Sequence, residues 1–252
     1  MSSSDVPGVS GRIAVVTGAA GGIGEAIGGQ LRAAGASVVG LDVVPSAGEH
    51  RVVDIVDRAA VAAALAGIEA GLGPVDLLAH AAAILRPGSL LADDAPAELG
   101  EMLRVNVIGA LNVIGLAGAA MARRRRGSIV AIGSDAAALA RLRIGGYGAT
   151  KSAMAALMRS IGLELAASGV RCNVVAPGAT DTAMQRTLWT DPADEENLTR
   201  VAAGDPAAFR VPIPLGRLGH PADVAHAAVF LLSERAGHIT LHTLNVDGGG
   251  TL

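Results

Sequence analysis

Short runs of β-branched and aliphatic residues recur along this chain, and most intervals between them are filled by stretches with helical spacing. Arg12–Thr17 (RIAVVT), Ser37–Asp42 (SVVGLD), Arg51–Asp54, Val75–Ala79, Ser128–Gly133 (SIVAIG), Val170–Ala176 and Thr243–Asp247 read as strands. Gly22–Ala34, Arg58–Ala70, Pro96–Arg104, Val105–Ala122, Gly148–Ala167 and Pro221–Ser233 read as helices. A parallel connection needs a crossover about as long as a helix, so repeated β-α-β order specifies an α/β fold. The expectation is a doubly wound parallel sheet of about seven strands with helices on both faces. Residues are 51% hydrophobic but only 2% aromatic, so Ala, Val, Leu and Ile must fill the space between sheet and helices.

No linker or repeat divides residues 11–252, which are expected to form one domain, with residues 1–10 as a flexible tail. The rhythm breaks at 180–214, a polar stretch with four prolines and the only tryptophan, Trp189. A long irregular insertion of this kind is expected to be a substrate lid.

Several functions are disfavoured by the totals. The formal net charge of −3 offers no global attraction to nucleic acid, and Arg123–Arg126 suit the negative end of a helix dipole. Cys172 is the only cysteine, which excludes an internal disulfide and zinc-type spacing, and no metal is expected. The N-terminal residues lack a basic stretch followed by an apolar one, and a cytoplasmic protein is expected. Val105–Ala122 is uncharged, but it is rich in Gly and Ala and carries Asn106 and Asn112. A helix buried against the sheet or in a subunit contact is expected there, not a membrane span.

Residues 17–24 read TGAAGGIG, after the first strand and into the first helix. Gly18 permits a tight turn, Gly22 lets backbone approach a pyrophosphate, and Gly24 lets the helix pack on the strand. The N–H groups around Ile23 then face the phosphates. This context makes the fold Rossmann-type. Asp42 ends the second strand, 18 residues past Gly24, where a carboxylate can take both hydroxyls of an adenosine ribose. Its charge repels a 2′-phosphate and no Arg or Lys immediately follows, which favours NAD over NADP. Asp54, ending the next strand, is a second candidate near the adenine.

The segment GGYGATKSAM holds the only tyrosine, Tyr147, with Lys151 four residues later in a chain with very few lysines. The two share a helix face. A free phenol, with a pKa near 10, is a poor base at neutral pH. A nearby ammonium and the positive charge of an oxidised nicotinamide favour the phenolate; a shift of about 3 units needs roughly 4 kcal/mol. Ser134, 13 residues before Tyr147, is placed to hold the substrate oxygen.

Together with Asn106 in RVNVIG and PGATDT at 177–182, these motifs resemble the short-chain dehydrogenase/reductase family, from Gly11 to the end. The resemblance implies a catalytic tetrad of Asn106, Ser134, Tyr147 and Lys151. It implies that Tyr147 and Lys151 also meet the cofactor, with Lys151 on the nicotinamide ribose, and that Asn106 supports a water in a proton relay. Pro177, Gly178, Thr180 and Thr182 would meet the nicotinamide end, and the assembly would be a homotetramer built on the long helices and the C-terminal segment. One departure stands out. The family usually has Asn-Ala-Gly after the fourth strand, where this chain has His80-Ala81-Ala82-Ala83. His80, Ala81 and Ala82 are expected beside the cofactor, His80 replacing a structural hydrogen bond and Ala83 occupying room that a glycine leaves open.

AAAILRPG, GSDAAALARLRIGGYGATK, TDTAMQRTLW and HITLHTLNVDGGGTL resemble a branch of the family that oxidises a carboxylated cyclohexadiene diol in catecholate siderophore synthesis. Oxidation at C3 would give a ketone that tautomerises to a catechol. The carboxylate needs a cation, and a guanidinium can clasp it through two parallel hydrogen bonds. Arg141 is the first candidate and Arg86 the second, with Met184, Leu188 and Trp189 closing over the ring. The alternatives are another reductase of the family, such as a 3-oxoacyl-carrier-protein reductase, and a non-catalytic dinucleotide-binding protein. Asp42 argues against the first, and the second has no need of the phenol.

Overall fold

The computed structural model describes residues 6–46 and 48–251. Seven strands, β1 Ile13–Thr17, β2 Ser37–Asp42, β3 His50–Val52, β4 Val75–His80, β5 Ser128–Ile132, β6 Arg171–Pro177 and β7 Thr243–Val246, form one sheet in the order β3-β2-β1-β4-β5-β6-β7. Every pairing is parallel. The central strands are covered on both sides, which is why they read as continuous apolar runs and not as alternating patterns. Neighbouring residues serve opposite layers. Val15, Leu78 and Ile129 face one core, with Ile68, Ile114, Met121, Met154 and Met158. Val16, Leu77 and Val130 face the other, with Ile27, Leu31, Leu231 and Leu232.

The helices are α1 Gly22–Ala33, α2 Arg58–Leu72, α3 Ala95–Leu103, α4 Ala110–Arg124, α5 Gly145–Ala166, α6 Ala183–Arg186, α7 Glu196–Ala203 and α8 Pro221–Leu232. Asp57 starts α2 by accepting the Ala59 and Ala60 N–H groups at 2.9 and 3.0 Å. The boundaries follow the sequence pattern closely, with three differences. A π-helical turn, Arg104–Gly109, joins α3 to α4. α5 begins at Gly145, three residues earlier than its apolar pattern. The segment 180–214 is not irregular throughout, since it contains α6 and α7.

Residues 95–124 form one run that is long and apolar enough to cross a membrane by length and composition. Its inner face, Val113, Ile114, Ala117 and Met121, belongs to the sheet core. Three of the four arginines that end it are tied to protein groups: Arg124 to Glu69, Arg125 to the Ala167 carbonyl, and Arg126 to Asp76 through two bonds of 2.9 and 3.0 Å. The expected tail falls partly on residues 1–5, outside the described residues. Residues 6–10 depart from that expectation: they form a turn with Val9 fully buried, and the Pro7 carbonyl accepts the Glu234 N–H.

Candidate active site

The strand order reverses between β1 and β4, and ligands of open α/β sheets bind outside the carboxyl ends of strands at such a switch. A cleft opens there. Gly18 and Gly21–Gly24 line one side, Ala81, Ala83 and Leu85 follow β4, Ile132–Asp135 follow β5, and Pro177–Thr180 follow β6.

Gly18 turns the chain with φ +65°, and a Cβ there would lie 2.6 Å from the Ala82 nitrogen, so only glycine fits. The Gly21 N–H closes the turn on the Gly18 carbonyl at 3.0 Å. No side chain caps α1, so the first N–H groups of the helix open towards the cleft. This uncapped, glycine-walled start fits a pyrophosphate. Asp42 stands behind it: Oδ2 accepts the Ala20 N–H at 3.0 Å and Oδ1 the Val43 N–H at 2.7 Å, which fixes the carboxylate at the end of β2. Asp54 departs from expectation. It lies past the end of β3, is exposed, does not line the cleft, and caps its own turn through the Val56 N–H at 2.9 Å.

Tyr147 and Lys151 sit one turn apart on α5 and are 9% and 3% exposed. Gly148 makes their approach possible, because a Cβ there would meet the Ala136 carbonyl oxygen at 2.6 Å. The helix therefore presses on the loop after β5 and brings the phenol beside Ser134, whose hydroxyl favours the ionised form. The Lys151 ammonium lies 5.6 Å from the Tyr147 ring centre and donates to the Ile132 carbonyl at 2.8 Å. Burial pulls its pKa down to about 8. The expected depression of Tyr147 does not hold in the free protein. Burial raises the phenol, the Asp135 charge raises it further, and the Ser134 hydroxyl only partly opposes them.

Asn106 stands behind the cleft, 1% exposed, on the π-helical turn. Its Oδ1 accepts the Ile84 N–H at 2.8 Å, and its Nδ2 donates to the Ile84 carbonyl and to Thr150 Oγ1 at 2.9 and 3.0 Å. Thr150 in turn donates to the Tyr147 carbonyl at 2.8 Å. Both amide hydrogens are committed, so the side chain braces the β4 loop against the first turn of α5.

His80 makes the structural hydrogen bond expected of it but stands away from the cleft. It is buried and does not line the cleft. Its Nδ1 lies 2.8 Å from Thr17 Oγ1, and that hydroxyl accepts the Ala82 N–H at 3.3 Å. His80 thus supplies a structural hydrogen bond between β1 and β4. Burial and the Lys151 charge hold its pKa down to about 3, so it is neutral at physiological pH. Ala81 lines the cleft, whereas Ala82 packs into the core beneath it.

Met184, Leu188 and Arg141, expected at the substrate, and Thr182, expected at the nicotinamide end, all line the cleft. Arg86 does not. It pairs with Glu101 at 3.1 Å and with Glu98 at 3.6 Å, outside the cleft. Trp189 is likewise absent from the wall. It is buried within the 180–214 segment, packed with Ala202 and Leu218 beneath the Arg186 guanidinium. Arg141 meets Asp135 at 2.6 Å. Asp135, Thr150 and Arg210 carry no motif signal; spatial pairing alone reveals them.

A family model described as enoyl-(acyl carrier protein) reductase matches residues 18–251. The chain is 40% identical to a 2,3-dihydro-2,3-dihydroxybenzoate dehydrogenase of Bacillus subtilis (strain 168), over 97% of this chain and 98% of the relative. It is 42% identical to the enzyme of that name from Escherichia coli (strain K12), over 96% and 98%. A 3-oxoacyl-acyl-carrier-protein reductase of Escherichia coli (strain K12) is 32% identical over 95% and 97%. Among solved structures, the ligand-free aldohexose dehydrogenase of Thermoplasma acidophilum superposes with a TM-score of 0.88 at 29% identity, covering 97% of this chain and 95% of the other. A gluconate 5-dehydrogenase from Burkholderia cenocepacia J2315, in complex with NADP and tartrate, gives 0.84 at 32% identity, covering 96% of each chain. Identity of this extent, on a sheet that brings Ser134, Tyr147 and Lys151 into one cleft, makes the chain a member of the short-chain dehydrogenase/reductase family.

Proposed function

We propose that this chain oxidises 2,3-dihydro-2,3-dihydroxybenzoate to 2,3-dihydroxybenzoate with NAD, in the cytoplasm, as a step of catecholate siderophore synthesis. The observation that carries the reading is the composition of the cleft. A phenol, a hydroxyl and an ammonium meet there under an apolar wall of Leu85, Ile144, Met184 and Leu188, with arginines at its edge. That wall suits a ring and the arginines suit its carboxylate. The near-full-length relatives named for this substrate support it over the acyl-carrier reductase reading, which rests on lower identity.

When bound, the oxidised nicotinamide supplies the hydride acceptor. Ser134 exchanges its present bond to Asp135, 3.3 Å, for the oxygen at ring C3. Tyr147 takes the hydroxyl proton as the C3 hydrogen departs with its electron pair. Lys151, protonated below about pH 8, stabilises the developing phenolate and would hold the ribose of the bound cofactor. The C3 ketone then loses the C2 proton to solvent while its oxygen gains one, giving the catechol; aromatisation makes the oxidation favourable.

The preference for NAD rests on Asp42, whose fixed carboxylate is followed in sequence by Val43 and Val44 instead of an Arg or Lys. A homotetramer is supported by apolar side chains left exposed on the long helical faces: Ile108 on the π-helical turn, Leu111 on α4 and Leu163 on α5.

Purified protein given the dihydrodiol and NAD should form reduced cofactor and 2,3-dihydroxybenzoate in equal amounts, with NADP a poor substitute. Asp42→Ala should narrow the NAD-over-NADP ratio of kcat/KM by about 10- to 100-fold, the worth of a charge-assisted hydrogen bond. Equal use of both cofactors by the wild type would remove the role given to Asp42. No catechol from protein that binds NAD would overturn the substrate.

A further inference from the structure

Arg141, the cation expected to meet the substrate carboxylate, is already committed. Its Nη2 lies 2.6 Å from Asp135, and the two side chains are only 14% and 11% exposed. The other Asp135 oxygen accepts the Ser134 hydroxyl. If Arg141 turned fully to a substrate, Asp135 would be left nearly buried and unpaired beside Tyr147, whose phenol its charge already raises.

A second guanidinium reaches the same cleft. Arg210, on the lid after α7, lines the wall with Arg141, Val201, Val211 and Ile213. It is partly buried, it feels the charges of Arg141, Asp135 and Asp205, and its side chain makes no ion pair or hydrogen bond among the described residues. Its backbone is held firmly. Arg210 and Asp205 exchange two N–H···O bonds of 2.9 Å, Asp205 caps the turn between them through the Ala207 N–H, and Phe209 closes it in the left-handed region at φ 54°. Gly204 packs directly on this segment, where a Cβ would lie 2.7 Å from the Arg210 carbonyl oxygen and the Pro212 nitrogen. Asp135, Arg141 and Arg210 together leave one net positive charge facing the apolar wall.

We infer that Arg210 is the residue that binds the substrate carboxylate and selects an anionic ring, while Arg141 remains the partner of Asp135. The inference rests on the carboxylated-diol reading and deepens it. It divides the labour between two arginines: the lid cation recognises the substrate, and the Arg141–Asp135 pair guards the charge state beside the phenol.

Two measurements test it. In steady state, Arg210→Ala should raise KM for the carboxylated diol about 10- to 100-fold more than for the corresponding uncharged cyclohexadiene diol. Arg210→Lys should restore part of the loss. Arg141→Ala should instead move the rising pH limb of both substrates to higher pH, because Asp135 is left uncompensated. A selective KM effect in Arg141→Ala and none in Arg210→Ala would overturn the assignment. The second measurement needs no turnover: calorimetric titration of the NADH complex with salicylate and with phenol. Wild type should favour salicylate, and Arg210→Ala should lose most of that preference. A preference unchanged in the variant, or missing from the wild type, overturns the inference even if the diol is oxidised. A preference lost as expected, with no diol turnover, upholds the anion site and rejects only the reaction.

Discussion

Tyr147 is the only tyrosine of the chain, Lys151 the only lysine, and both lie in one buried turn. Burial works against each of them, raising the phenol and lowering the ammonium. Spacing alone pointed to an activated phenol, but the free protein holds it neutral, because desolvation and Asp135 outweigh the contact with Ser134. Activation therefore belongs to the complex, where an added positive charge tips the balance. Asp135→Asn removes one of the opposing charges. Its rising limb of kcat/KM for oxidation should lie at lower pH than that of the wild type, and an unmoved limb would show that Asp135 does not act on the base. His80 gives a second test. Its pKa is about 3 in the folded chain and near 6.5 unfolded, so below pH 6.5 the unfolded state takes a proton that the folded state refuses. Stability present above pH 6.5 is then lost at about 1.4 kcal/mol per pH unit towards pH 3. Denaturant unfolding of His80→Asn should show a shallower acid loss than the wild type; parallel curves would mean that the buried imidazole is not the source.

The strands and most helices were legible because a sheet buried on both faces writes continuous apolar runs, and α1 and α2 write helical spacing. The π-helical turn was not. RVNVIG has ordinary helical composition, and its distortion coincides with bonds from Asn106 to Ile84 and Thr150, which are distant in sequence. The short helices α6 and α7 were hidden by their brevity and by charged residues. Asn106→Ala leaves the half-buried Ile84 N–H and carbonyl without their side-chain partner and frees Thr150. Each such loss costs about 1–3 kcal/mol. Unfolding free energy should fall by at least about 2 kcal/mol, and kcat should fall more than NAD affinity does. A variant that loses stability but keeps full kcat would reduce Asn106 to a purely structural brace.

At the scale of the molecule, the alternation of strand and helix leaves little freedom in topology. Right-handed crossovers place α1 and α8 on one face of the sheet and α2, α4 and α5 on the other. The reversal between β1 and β4 then sets the cleft over the glycine turn, Ser134 and the catalytic helix. The backbone of the site was legible for this reason. Its charges were not, because folding alone pairs Arg86 with Glu101 and Arg141 with Asp135 and brings Arg210 to the same wall, and no spacing announces it. In the proposed reaction the hydrogen at ring C3 leaves as hydride while Tyr147 removes the hydroxyl proton of the same carbon. Substrate deuterated only at C3, turned over with NAD, tests it by mass spectrometry of both products. One deuterium per molecule in the reduced nicotinamide, with none in the catechol at C3, is the expected result. Deuterium released to water with an unlabelled reduced cofactor, or transferred only from C2-labelled substrate, would contradict the chemistry assigned to this site.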